Sequence, residues 1–289
     1  MDIADPDNQL SLPLFTKKAK RVGEIHKKPK RVGEIQSRDR TKEHFSTEDG
    51  QHYFGEMENG LPNGISTLTL TDGSRYSGEV VDGIPSGKGT FMTDWGLRLT
   101  GEFVGFDLNY GTLVYPNGQK YVGELRDFAP KGRGTMTYVD GGQLTGMWEG
   151  RMMNGHGEQI DPDGSKHVGE FENNAAHGKG IMTGPDGFKV VGEFKGGELH
   201  GQITLTEGKG DKFVGHYKEG KRHGQGTQWL SSGGKLVGCW KDGELNGQCT
   251  LIFSDGRQMI CEYREGVRHG DSTIVEPDGD KWIMPIRAD

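Results

Sequence analysis

Along residues 53–281 large apolar side chains return in pairs that bracket a glycine. Tyr76-Ser77-Gly78-Glu79-Val80 shows the unit in full, with an aromatic residue, a Gly and an apolar residue at alternate positions and polar residues between them. Alternation of this kind predicts a short strand with one face toward a core. The Gly recurs at 55, 78, 101, 123, 146, 169, 192, 215 and 238, in steps of 23 residues apart from one of 22, and a tenth copy carries Cys261 there. A second Gly follows nine residues later in every copy but the third. Each copy also holds two turn signals, one such as Asp242-Gly243 or Glu219-Gly220 and one such as Asp72-Gly73 or Asp163-Gly164. Two turns in 23 residues predict two strands per copy.

Tyr121, Gly123 and Leu125 fall on one face of a first strand, and Met136 and Tyr138 on one face of a second. The predicted core is Tyr76, Tyr121, Phe171, Phe194, Phe213, Tyr217, Trp240 and Tyr263. In later copies the bracketing pairs are Val190/Phe194, Phe213/Tyr217, Leu236/Trp240 and Met259/Tyr263, so the bracketed Gly is expected to admit a neighbour's ring. A lone hairpin is marginal. Stacked hairpins bury each pair against the next, and stability becomes a sum of nearest-neighbour terms. At ~4.8 Å per strand, ten copies predict a twisted sheet of order 100 Å, curved into a trough.

The motifs Tyr121-Val122-Gly123-Glu124-Leu125 and Phe213-Val214-Gly215-His216-Tyr217-Lys218-Glu219-Gly220-Lys221-Arg222-His223-Gly224-Gln225-Gly226 resemble the MORN repeat. The resemblance covers about residues 53–281. It implies an all-β fold: an elongated, twisted, single-layer antiparallel sheet of tandem hairpins that serves as an interaction module in scaffolds of cytoskeleton, cilia and membrane junctions, sometimes as a dimer. Relatives with enzymatic activity carry a catalytic domain outside the repeats. Only Trp282 to Asp289 follow the last copy here, so no catalytic residue and no cofactor is expected. Residues 1–50 are assigned to a basic, largely disordered arm, 51–281 to about ten repeats, and 282–289 to a capping strand and tail. Trp282-Ile283-Met284-Pro285-Ile286 reads as a truncated eleventh first strand, with Trp282, Ile283 and Ile286 as a cap or, alternatively, a homodimer seam.

Composition changes the picture in three places. Hydrophobic residues are 31% of the chain and Gly accounts for 50 of 289 positions, which suggests disorder until the period of the glycines is noticed. The three Cys are an odd number and too few for a secreted disulfide framework, and no apolar run approaches ~18 residues. A cytoplasmic protein associated with cytoskeleton or cilium is the expectation. Charge is uneven: residues 17–42 hold 11 Lys/Arg against 3 Asp/Glu, a balance of +8, while the whole chain carries -7 and the remainder therefore -15.

The arm contains a duplicated decapeptide, Lys17-Lys18-Ala19-Lys20-Arg21-Val22-Gly23-Glu24-Ile25-His26 and Lys27-Lys28-Pro29-Lys30-Arg31-Val32-Gly33-Glu34-Ile35-Gln36. Lys17, Lys18, Lys20, Arg21, Lys27, Lys28, Lys30 and Arg31 are the candidate partner-binding residues. Nuclear import, contact with anionic lipid and a grip on acidic protein surfaces all stand open for them, beside a plain solvated tail. The Arg-Val-Gly-Glu-Ile cores echo the repeat's first strand and are expected to cap the edge of the first repeat or to augment a partner's sheet.

Other clusters read as structural. His177, His200, His223 and His269 each precede a second Gly, and at ~10 Å between copies two adjacent His could barely share an ion and a third is too distant. Cys239, Cys249 and Cys261 read as small spacers, without the spacing of a zinc site. Glu56, Glu79, Glu102, Glu124, Glu170 and Glu193 are expected to point outward in a ladder of cross-strand contacts rather than to do chemistry. The leading reading is a non-enzymatic scaffold for helical or extended segments of cytoskeletal or ciliary proteins, with no specific nucleic acid. A membrane-apposed tether and a regulatory subunit of an enzyme supplied in trans are the alternatives. Replacing Tyr217 or Trp240 with Ala is predicted to destabilise the fold by ~3 kcal/mol in thermal unfolding.

Overall fold

A computed structural model describes residues 42–47 and 50–286, and the arm's eight candidate cations and both decapeptides lie outside them. All regular structure among the described residues is β. The chain separates into two units, one running to Val139 with Trp148–Arg151, the other comprising Asp140–Met147 and the chain from Met152. The first contains β1 (Lys42–Ser46), β2 (His52–Glu58), β3 (Leu61–Thr69), β4 (Arg75–Val81), β5 (Ile84–Met92), β6 (Arg98–Val104), β7 (Tyr110–Val114), β8 (Lys120–Arg126) and β9 (Ala129–Thr137). Next in the chain is β10 (Gln143–Glu149), whose residues are divided between the units.

The second unit continues with β11 (Met152–Ile160), β12 (Lys166–Glu172), β13 (Ala175–Thr183), β14 (Lys189–Lys195), β15 (Glu198–Thr206), β16 (Lys212–Lys218) and β17 (Lys221–Trp229). It closes with β18 (Lys235–Lys241), β19 (Glu244–Leu245), β20 (Gly247–Ile252), β21 (Gln258–Arg264), β22 (Val267–Val275) and β23 (Lys281–Met284). Within each unit strands pair antiparallel in chain order; β19 and β20 are two pieces of one strand, both paired to β18.

The turns explain both dipeptide signals. Asp82 and Gly83 stand at φ 50° and 82° between the paired residues Val81 and Ile84, the two-residue turn whose twist matches a hairpin. Between copies, Gly73 N–H donates to Leu70 O at 3.0 Å and Ser74 N–H to the Asp72 carboxylate at 2.9 Å. Phe128 takes a glycine's place in the turn after β8 at φ 62°, a costly conformation for a bulky residue, and its ring stacks on Phe91 at 5.6 Å.

Register aligns the glycines. In the first unit Gly55, Ser66, Gly78, Gly89, Gly101, Gly111, Gly123 and Gly134 are successive cross-strand partners. In the second unit the row runs from Gly157 through Gly169, Gly180, Gly192, Ile203, Gly215 and Gly226 to Gly238. The side chain two residues before each first Gly, a ring at Tyr53, Tyr76, Tyr121, His167 and Phe213, belongs to the face that covers this row. Tyr76 and Tyr121 are fully buried there, and their hydroxyls donate to the carbonyls of Glu79 and Glu124 at 2.8 and 2.9 Å. Burial, with the nearby Glu79 carboxylate, pushes the Tyr76 hydroxyl up to about 12.

The expectation that Gly admits a ring holds, but the ring belongs to the same strand and reaches across to the next. Neighbouring copies then lock edge to face. Phe103 meets Tyr76 at 5.2 Å, Trp148 meets Tyr121 at 5.8 Å, Phe194 meets His167 at 4.5 Å and Trp240 meets Phe213 at 5.1 Å, all near perpendicular.

The second Gly is the bulge residue. Within a copy the register jumps opposite the Glu that follows the first Gly, as between Gly78 and Val80, and Gly87 stands at φ 98° there. The Glu side chains point outward as expected but do not simply pair with other side chains: the Glu79 and Glu124 carboxylates fold over the bulge and accept from Lys88 and Arg133 N–H at 3.4 and 3.2 Å. The third copy lacks this Gly; β7 is short, and Leu108 fills the space over Gly101 and Gly111.

One expectation is corrected. Tyr263 is half-buried rather than core, because beyond its copy only β23 follows and the cover supplied elsewhere by the next copy is missing. The outer edge of β2 is taken by Lys42–Ser46, and the arm's Arg-Val-Gly-Glu-Ile motifs, expected to cap the first repeat, lie outside the described residues.

Ring size and row residue compensate. Val190 accompanies Ile203 in the row, whereas Phe213 accompanies Gly226. A Cβ on Gly226 would stand 2.6 Å from Phe213 Cζ and 3.1 Å from Trp240 Cζ3. Gly226→Ala is therefore predicted to destabilise by about 1–3 kcal/mol in urea unfolding. Gly226→Ile combined with Phe213→Val, which recreates the Val190/Ile203 pairing, should be more stable than Gly226→Ile alone.

Candidate interaction site

Strand alternation sends the residues beside each Gly to the face opposite the rings. In the first unit this outer row is largely hydroxylic, and Thr90 and Thr100 hydrogen-bond across strands at 3.2 Å. In the second unit the same row passes from Glu158 to Val168–Ile181–Val191 and then alternates Thr with Val or Ile as far as Ile283. Val168, Ile181 and Val191 are 45%, 42% and 41% exposed, a contiguous apolar stripe crossing three strands.

A groove of about 490 Å³ runs beside this stripe. Its floor is the backbone of Gly157, Gly169, Gly180 and Gly192, and its polar wall includes His156, Lys179 and Glu193. Lys179 and Glu193 are cross-strand partners. On the other side of the stripe Lys166, Lys189, Lys212 and Lys235 recur on every second strand, with Thr183, Thr206 and Trp229 between them. Lys166 pairs with Glu158 at 2.8 Å, and Lys212 lies over the Trp229 ring at 5.5 Å. The arrangement offers apolar contact, cations and a backbone floor; it presents no nucleophile paired with a base.

Of the residues singled out in the sequence, Glu170, His177, Glu193 and His200 line one groove of about 440 Å³, and the others are spread along the framework. His177 pairs with Glu172 at 3.1 Å, and His223 faces Asp242 at 3.8 Å. His216 is the cross-strand partner of His223, which spacing between copies did not reveal. Among the described residues no group of three or more His, Cys, Asp or Glu is placed to hold a metal ion. Cys249 and Cys261 are buried and Cys239 is half-buried. β23 lies against β22 and leaves Trp282, Ile283 and Ile286 exposed. No helix among the described residues is long and apolar enough to cross a membrane.

His167 was not singled out, although it holds the place two residues before Gly169 that Tyr or Phe holds elsewhere; that register position was the available signal. Its ring is 2% exposed, lies between Phe171 and Phe194, and has no hydrogen-bond partner on either nitrogen among the described residues.

The MORN repeat model matches residues 53–75, 76–98, 121–143, 145–166, 167–189, 191–202, 213–235 and 237–256, together more than half of the chain. The altered third copy and the tenth, with Cys261 for Gly, fall outside these matches. No curated protein matches the sequence. Solved structures similar to this chain include the Drosophila melanogaster SAS-4 (dCPAP) TCP domain in complex with a proline-rich motif of Ana2 (dSTIL), at 11% identity over 89% of this chain and 98% of that one, TM-score 0.19. Another is a catalytically inactive virginiamycin B lyase from Staphylococcus aureus with quinupristin, at 13% identity over 89% and 74% of the two chains, TM-score 0.13. A streptogramin B lyase matches at 13% identity over 87% and 92%, TM-score 0.16. At these TM-scores the three structures support no conclusion about fold or function.

Burial holds the His167 imidazole below its ordinary range, with Asp161 partly opposing. The native state therefore keeps it neutral while the unfolded chain takes up a proton near its usual pKa of about 6.5. Stability from this site is present above that value and is lost as pH falls through it. His167→Phe is predicted to flatten that part of the decline in unfolding midpoints measured between about pH 7.5 and 5.

Proposed function

Since the chain belongs to the MORN-repeat family, whose repeats are protein and membrane interaction modules, we propose that it is a non-catalytic scaffold that binds protein partners across its strands. The observation carrying this reading is the exposed stripe Val168–Ile181–Val191 beside a groove floored by glycine backbone. Apolar side chains held in a row by sheet register offer contact area without ordering cost, and the charged walls supply orientation. The partner is a helical or extended segment, and the setting we favour is a cytoskeletal or ciliary assembly, on the strength of the family and of the basic arm.

A second reading has its own observation. Lys166, Lys189, Lys212 and Lys235 stand beside the aliphatic stripe, the pairing that an anionic membrane surface would meet. Binding of that kind weakens as salt screens the surface potential.

The test is affinity purification from cells of the full chain beside a chain beginning at Lys42, which keeps the strand that covers β2. Both are also floated with anionic liposomes at low and physiological salt. Recovery of the same cytoskeletal or ciliary proteins by both chains supports the scaffold. Salt-sensitive flotation without specific partners overturns it in favour of the tether. Val168→Glu with Val191→Glu is predicted to lower partner recovery at least tenfold, with a melting temperature within about 2 °C of the parent because both positions are exposed. Undiminished recovery would remove the stripe from the binding surface.

A further inference from the structure

We propose that Cys249 and Cys261 are a cross-strand disulfide site at the C-terminal end of the second unit, closed by exchange with a small-molecule disulfide of the glutathione type. Two of the chain's three cysteines fall in the row that the repeat otherwise fills mainly with glycine. Cys249 follows Gly238 by 11 residues, where Gly226 stands after Gly215, and Cys261 takes the first Gly position of the tenth copy. Register makes them direct partners between β20 and β21, so both thiols lie on the ring face, and both are free.

The pairing brings the two residues within reach of a bond, which closes once Cys249 Sγ, now lying over Gly238 of β18, turns toward β21. Phe253 N–H donates to Arg257 O at 2.8 Å at the head of this hairpin. Alternation from that bond places Cys249 and Cys261 in a hydrogen-bonded pair, with Cα atoms ~5.5 Å apart. Disulfides span Cα separations of roughly 4.4–6.8 Å. Cys261 Sγ lies 3.9 Å from Cys249 O, so the sulfur already sits over the opposite strand. Cys239 is no competitor, because it belongs to the outer face, where Gln225 Nε2 donates to its sulfur at 2.8 Å.

Burial raises both thiols, with Arg268 partly offsetting this at Cys261. Exchange therefore runs through opening of the last copies, which are covered on one side only by the four-residue strand β23. The Cys261 thiolate attacks one sulfur of glutathione disulfide, breaking that S–S bond and releasing one glutathione thiolate. The Cys249 thiolate then attacks the Cys261 sulfur of the mixed disulfide and releases the second. Two protein thiols are oxidised, one small disulfide is reduced to two thiols, and those thiols carry away both protons. The bond ties the ninth copy to the tenth, so a reversible covalent clamp holds the end where Trp282 and Ile283 stand exposed.

The test incubates the full chain in mixtures of oxidised and reduced glutathione, alkylates the remaining thiols and digests with trypsin, which cuts after Arg257 between the two cysteines. A disulfide-linked pair of peptides carrying Cys249 and Cys261, with Cys239 alkylated, is the expected result. The melting temperature should rise by about 2–6 °C over the reduced chain. That rise should be absent in Cys249→Ser and retained in Cys239→Ser. Full alkylation of Cys249 and Cys261 under oxidising mixtures, linkage through Cys239 instead, or a melting temperature lowered by the bond overturns the proposal.

Discussion

A ring laid across a row of glycines is the contact on which the fold rests. A single-layer sheet has no second layer to cover its apolar face, so its large side chains must find cover within the sheet itself. Glycine on the partner strands lets the Tyr76 or Phe213 ring lie against backbone, and the next copy's aromatic residue closes over its edge. Burial therefore comes from neighbours along the sheet. This is how a chain with 31% hydrophobic residues, composed much like a disordered segment, forms a core.

The row also shows how far the repeat can degenerate. Phe213 goes with Gly226, whereas the smaller Val190 goes with Ile203, and Leu236 with Cys249. Where a Leu leaves the glycines open, another side chain enters: Leu108 in the third copy and Met153 over Gly146 and Gly157 in the fifth. Volume over the row is held roughly constant while the identity of each residue drifts. His167 is the costly substitution, since it fills the volume of a ring but brings two nitrogens into a site without hydrogen-bond partners.

Because the rings use one face, the opposite face is relieved of any packing duty and can vary with function. It is largely hydroxylic in the first unit, whereas in the second it carries the aliphatic stripe Val168–Ile181–Val191 and then Thr alternating with Val or Ile, although both units are built on the same register. The aliphatic stripe, the lysines beside it and the glycine-floored groove follow from that freedom. Even the recurrent Glu residues of this face are partly committed to structure, since Glu79 and Glu124 cover the backbone of a bulge.

Period, strand alternation, turn chemistry and seven of the eight predicted core residues were legible in the sequence, because each is a local property of a 23-residue unit repeated until chance is excluded. Register was not. It depends on where a bulge adds residues to one strand, and that decides which glycine faces which ring, why Gly87 must adopt φ 98°, and that Cys249 meets Cys261 and His216 meets His223. Tyr263 is half-buried and β1 covers β2 because both lie at the ends of the repeat array. There the interior pattern no longer supplies a neighbour on each side, and only the tertiary structure decides what stands in its place.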